Sequence, residues 1–150
     1  MDIKKNASFC VDHTKFGEGL YISRIDGDVV TYDMRTRRPN SGNFMDNITM
    51  HTFEHMFSTY IRNTGLDVIY FGPMGCQTGF YLLVRNADND AVLAEIITAL
   101  EKIISHTGEV FGASEIECGN YKTLDMETAR CEAKKYLEIL KSKEIDYKYF

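Results

Sequence analysis

Apolar positions along the 150-residue chain follow two periods, and the places where one gives way to the other mark its elements. "LYISRI" (20–25) and "DVVTYDM" (28–34) are rich in β-branched and aromatic residues. They flank Asp26-Gly27, a dipeptide suited to the positive φ angles of a tight turn, and together predict a hairpin. From Asp46 or Asn47 as N-cap the period lengthens through "NITMHTFEHMFSTYIRNTG", predicting a helix that stops near Gly65, where a left-handed C-cap costs glycine little. "DVIYFG" and "FYLLV" predict two antiparallel strands joined by the loop "PMGCQTG" (73–79). "DAVLAEIITALEKIISHTG" carries Leu93, Ile96, Ile97, Leu100, Ile103 and Ile104 on one face, predicting a helix that covers the sheet and ends near Gly108. "GEVFGASEIECGNY" fits strand or loop, and "DMETARCEAKKYLEILKSK" reads as a last helix capped by Asp125. Strands in hairpin order with helices between them imply an α+β fold, a two-layer sandwich of an antiparallel sheet packed with helices. Without repeats or linkers, residues 1–150 are expected to form a single domain.

Charge narrows the function classes. The formal net charge is −5, and basic residues are scattered except for "RTRR" at Arg35 to Arg38, which reads as a solvated basic face, so no nucleic-acid partner is expected. The first twenty residues lack the apolar run of a signal peptide, and no stretch approaches the roughly 20 apolar residues that span a bilayer. The expectation is a soluble, cytoplasmic protein with no membrane partner. In that compartment Cys10, Cys76, Cys118 and Cys131 are expected as thiols, and free thiols are most often buried.

Chemistry concentrates in "HTFEH". Residues on a helix are about 100° apart, so His51 and His55 share a face one turn apart with Glu54 beside them. Two imidazoles so placed can chelate a borderline divalent metal at about 2.0–2.1 Å, leaving the carboxylate free for acid–base work. A bland alternative is a helix with two surface histidines. A third ligand is available in Cys118, where the following glycine permits close backbone approach and thiolate suits the same metals at about 2.3 Å. His₂Cys leaves a coordination position open, the catalytic pattern. Cys76 sits in a glycine-bearing loop between strands, accessible enough for a proton-transfer role, although a thiol packed under the sheet is the plainer reading.

Five pieces in one order, "SF.VDH" at 8–13, "YDMR" at 32–35, "HTFEH" at 51–55, "PMGCQTGFY" at 73–81 and "ECGNYKTLD" at 117–125, resemble the S-ribosylhomocysteine lyase family, the LuxS enzymes of autoinducer-2 synthesis. The resemblance implies cleavage of S-ribosylhomocysteine to homocysteine and 4,5-dihydroxy-2,3-pentanedione. It implies one divalent metal per subunit, Fe²⁺ with Zn²⁺ or Co²⁺ able to substitute, held by His51, His55 and Cys118. Glu54 and Cys76 would be the catalytic proton-transfer groups, Ser8, His13 and Arg35 would contact the ribose, and Arg62 the homocysteine end. A homodimer with composite sites is implied as well. Tyr70 stands where family members carry an acidic residue, so the substrate ammonium must be held otherwise. Two other readings remain: an inverted-motif zinc metallopeptidase with Glu127 or Glu132 as third ligand, and a structural zinc module closed by Cys76.

Overall fold

Alternation within each strand sorts side chains to two faces, and the register aligns those choices across the sheet. The computed structural model describes residues 2–150. Strands β1 (Gly19–Asp26), β2 (Val29–Arg35), β3 (Asp67–Pro73) and β4 (Gly79–Arg85) form an antiparallel sheet in the order β1-β2-β4-β3. Leu20, Met34 and Phe80 stand opposite one another, as do Ile22, Tyr32, Leu82 and Phe71, and then Val30, Val84 and Val68. These rows join the hydrophobic core. The intervening row, Tyr21, Asp33, Tyr81 and Gly72, and the row Gly19, Arg35 and Gly79 point the other way. The architecture is the α+β sandwich that the strand and helix periods imply.

Three helices cover the apolar face: α1 (Asn47–Arg62), α2 (Asn89–Ser105) and α3 (Met126–Lys141). Asp46 caps α1 by accepting from the Thr49 amide at 2.8 Å. Burial of Thr52, Phe53, Met56 and Phe57 fixes which face of α1 meets the sheet. The Phe53 ring lies 4.8 Å from that of Phe80, and the Phe57 ring 4.6 Å from that of Phe71. Each such ring contributes about 1.5–3 kcal/mol of burial. On a 100° step, His51, Glu54 and His55 must then turn away from the core.

Several boundaries differ from the sequence expectation. The hairpin loop is Gly27-Asp28, one residue later than Asp26-Gly27, with Gly27 at φ +59° and Asp26 paired to Val29. Helix α1 ends at Arg62, not near Gly65, because Asn63 donates its amide to the Tyr60 carbonyl and its side chain to the Thr59 carbonyl, closing the last turn without a glycine. Helix α2 ends at Ser105 with His106 as C-cap. The ambiguous stretch around Phe111 to Cys118 is irregular. "RTRR" is not a solvated face: Arg35 is 2% exposed and pairs with Asp33, and Arg37 is buried against Glu132. Nor are the thiols buried as a group; all four cysteines are free, and Cys10, Cys76 and Cys131 are exposed.

Candidate active site

Helix α1 presents His51 and His55 edge to face, with ring centroids 4.6 Å apart. The irregular loop after α2 brings up Cys118, whose Sγ lies 3.3 Å from His51 Nε2. A turn anchored at Ser114 holds it there, since the amides of Glu117 and Cys118 both donate to the Ser114 carbonyl. One ligand atom from each of the three residues fits within a 4.8 Å span. Ligands about 2.0–2.3 Å from a tetrahedral ion stand about 3.3–3.8 Å apart, so the group needs to contract by only about 1 Å to close on a cation.

Hydrogen bonds orient these ligands for binding. His55 Nδ1 lies 2.7 Å from the Phe111 carbonyl, which can only accept, so that nitrogen carries the proton and Nε2 keeps its lone pair. Thr123 Oγ1 donates to the Asn120 carbonyl at 3.1 Å and so accepts from His51 Nδ1 at 2.8 Å, setting the same tautomer. The Asn120 amide donates to Cys118 Sγ at 3.3 Å, which fixes the direction of the sulfur. Gly112, at φ +71°, lets the loop pass His55, because a Cβ there would lie 3.1 Å from His55 Nδ1. The donor set and its preset tautomers fit a borderline divalent cation with an open position. Glu54 is half-buried and, with His55, Ser58, Thr59, Phe111, Gly112 and Glu117, lines a cleft of about 450 Å³ beside this group.

Cys76 lies elsewhere. Its loop is pinned by Met74 N–H to the Gly79 carbonyl at 2.9 Å and by Gln77, which bonds Met45 through both backbone and side chain. Gln77 itself is held at φ +64°, a conformation that side chains other than glycine's avoid. Cys76 Sγ is 3.0 Å from Thr78 Oγ1 and 3.9 Å from Arg35 Nη1. These residues and His13, with the loop 39–44, line a cavity of about 370 Å³. Arg35 is clamped by Asp33, Nε to Oδ1 at 3.1 Å and Nη2 to Oδ2 at 2.6 Å, and its guanidinium lies 5.1 Å from the Phe16 ring centroid. Burial opposes the Arg35 charge, but Asp33 more than offsets it and holds the guanidinium protonated above its ordinary range. Burial, then the Asp33 carboxylate, pushes Tyr81 and Tyr149 upward.

His13, Arg35 and Cys76 therefore converge, while the residues lining their cavity include none of His51, Glu54, His55 or Cys118. Ser8 belongs to neither place; it lines a cleft on the outer sheet face with Tyr70, Tyr81 and Arg24. Arg62 is exposed on the His51 and His55 face of α1, seven residues, about two turns, past His55. The peptidase ligands are engaged otherwise: Glu132 is 2% exposed and forked to Arg37, and Glu127 bonds Arg130. Cys76 is absent from the metal-competent group, against its use as a fourth zinc ligand. Sequence reasoning overlooked Thr78, Asp33 and Thr123. Asp33 precedes Arg35 by two positions on one strand, so period-2 alternation was a usable signal; Thr123 lies within "ECGNYKTLD", but nothing in its spacing pointed to His51.

Comparison with known proteins identifies relatives. A family model described as S-Ribosylhomocysteinase (LuxS) matches residues 6–146. The chain is 40% identical over 156 aligned positions to the S-ribosylhomocysteine lyase of Borreliella burgdorferi, covering 98% of this chain and 99% of that protein. It is 41% identical to that of Desulfotalea psychrophila, with 89% of each covered, and 38% identical to that of Clostridium acetobutylicum, with 92% of each covered.

Proposed function

The chain belongs to the S-ribosylhomocysteinase (LuxS) family and is a lyase acting on S-ribosylhomocysteine; on that premise we propose a metal-assisted carbonyl migration followed by β-elimination, yielding homocysteine and 4,5-dihydroxy-2,3-pentanedione, the autoinducer-2 precursor. The observation that carries it is the His51, His55 and Cys118 group with both outer imidazole nitrogens already occupied. Those residues would hold one divalent cation per subunit, Fe²⁺ with Zn²⁺ or Co²⁺ able to substitute, which when bound supplies Lewis acidity to the sugar carbonyl and its neighbouring hydroxyl.

The substrate thioether carbon is not β to a carbonyl, so the thiolate can leave only after the carbonyl has moved along the sugar to acidify the proton on the carbon next to the one that bears the departing sulfur. Protons must be removed and returned at more than one carbon, which one fixed base serves poorly. Cys76, exposed beside the Arg35 guanidinium, is the group we assign to carbon, and Glu54 to transfers at oxygen and in the elimination. His13 and Arg35 are placed to hold the ribose at the Cys76 cavity. Ser8 is assigned to the ribose, and Arg62 to the homocysteine end, by family pattern alone.

One chain keeps Cys76 apart from the metal ligands, which supports a homodimer whose sites take residues from both protomers. Apolar residues left in solvent, Ile116 at 98% and Phe44 at 59% exposure, flank the two places and suit that interface. Among the described residues no helix is long and apolar enough to cross a membrane, and we place the enzyme in the cytoplasm as one domain.

The test is release of homocysteine thiol from S-ribosylhomocysteine with and without chelator. Loss on chelation and recovery with Fe²⁺ or Co²⁺ is expected. Cys76→Ala should keep metal and lose turnover, and Glu54→Gln should keep metal and slow turnover by on the order of 10²-fold. Turnover that ignores chelator would refute the metal role.

A further inference from the structure

Arg35 is buried with its Nη1 3.9 Å from Cys76 Sγ, and what holds it there extends past the residues matched by the family model, which end at 146. The segment after α3 runs back along β1: Ile22 N–H donates to the Tyr147 carbonyl at 2.9 Å. This delivers Tyr149 beneath the site, its ring stacked on Tyr21 at 4.9 Å and 4.7 Å from the Phe16 ring centroid. The Tyr149 hydroxyl donates to Asp33 Oδ2 at 2.8 Å, and Asp33 in turn grips Arg35. Thr78 Oγ1 accepts a hydrogen bond from Arg35 Nη1 at 2.8 Å and meets Cys76 Sγ at 3.0 Å. The chain of contacts is continuous: Tyr149, Asp33, Arg35, then Thr78 and Cys76.

We propose that Tyr149 is a positioning residue for the Arg35 and Cys76 pair, acting through Asp33. Asp33 is fully buried and must have its lone pairs filled. With the tyrosine hydroxyl on Oδ2, the carboxylate shares its charge between two donors, and Arg35 is left free to extend Nη1 toward Thr78 and the sulfur. Without that hydroxyl the carboxylate draws wholly on the guanidinium. Arg35 then settles toward Asp33, and its positive charge is less available to a thiolate at Cys76. Other titratable groups near the pair are His13 across the cavity, Tyr21 and Tyr81 on the sheet, and the buried Tyr136 of α3, whose hydroxyl donates to the Gly19 carbonyl; among the described residues none of them donates to Asp33. The proposal rests on Cys76 as the proton-transfer group, although its first readout does not.

The experiment uses the metal-loaded full chain as wild type, Tyr149→Phe and Tyr149→Leu, with iodoacetamide labelling of Cys76 followed by peptide mass across a pH series. Tyr149→Phe keeps the ring stack and removes only the hydroxyl. It is expected to slow Cys76 labelling at neutral pH by about two- to tenfold, the scale of one net hydrogen bond. Its rate-against-pH midpoint should move upward, and kcat should fall more than KM rises. If Tyr149→Phe labels and turns over as wild type and only Tyr149→Leu is impaired, the ring is an anchor and the proposal is overturned. A Cys76→Ala enzyme that stays active while the labelling shift persists would instead refute the proton-transfer assignment and leave the positioning role standing.

Discussion

Thr123→Val removes one hydroxyl from the outer side of the metal group, and its cost can be worked through bond by bond. Wild-type Thr123 Oγ1 spends its proton on the Asn120 carbonyl and accepts from His51 Nδ1, which pins the imidazole with Nε2 toward Cys118. Valine has the same shape and neither function. His51 can then flip its tautomer or rotate, and the fraction of chains with a free Nε2 lone pair in place declines. Partners of this kind change metal affinity by about 10–100-fold, or about 1.4–2.7 kcal/mol. Thr123 is only half-buried, so water can replace part of the bond, and the expected loss is at the lower end, about tenfold. A competition titration against a chelating dye measures it, with Thr123→Ser as the control that restores the hydroxyl. Thermal melts of the metal-free proteins separate this from loosening of the Asn120 turn. An affinity for Thr123→Val within about twofold of wild type, or a serine variant as impaired as the valine, would refute the reasoning.

Three further outcomes follow from other parts of the molecule. Glu132→Ala strands the Arg37 guanidinium, 10% exposed, at the end of β2, and should cost about 3–5 kcal/mol in denaturant unfolding; a loss below about 1 kcal/mol would mean the pair is solvated. Asp46→Ala removes the α1 cap and should cost about 1 kcal/mol at neutral pH. Hydrogen bonds from the Thr49 side chain and amide hold the Asp46 carboxyl below its ordinary value of 3.8, so the cap's contribution is complete above that value and is lost as pH falls through the lower folded one. The gap between variant and wild type should therefore close in acid, and a constant gap down to about pH 2 would count against the cap. Mixed dimers of Cys76→Ala and His51→Ala protomers should recover activity that neither homodimer has, if each site joins one protomer's Cys76 cavity to its partner's metal ligands; inactive hybrids would place the whole site in one chain.

What the sequence disclosed depended on whether a feature was carried by one element. His51, Glu54 and His55 were legible because a helix converts spacing into direction without help from the rest of the fold. The two hairpins and the Asp46 and Asp125 caps were legible for the same reason. The Arg35 to Arg38 run was misread because the partners that bury it are not visible as local composition: Asp33 shows only once the strand's alternation is applied, and Glu132 lies 95 positions away. The Gly65 stop was misread because Asn63 and Thr64 satisfy the end of α1 with their own side chains. Least legible were the groups that ready the ligands. His55 is oriented by the carbonyl of Phe111, and a carbonyl belongs to every residue type, so no substitution pattern or motif can advertise it. The loop that carries Cys118 could be recognised as a ligand donor from its thiol, yet its hold on His55 comes from its path, and that path depends on Gly112 passing the imidazole where a side chain would collide. The candidate centre is thus written in the sequence twice, openly in the residues that could bind a cation and silently in the carbonyl of Phe111 and the Thr123 hydroxyl that orient them.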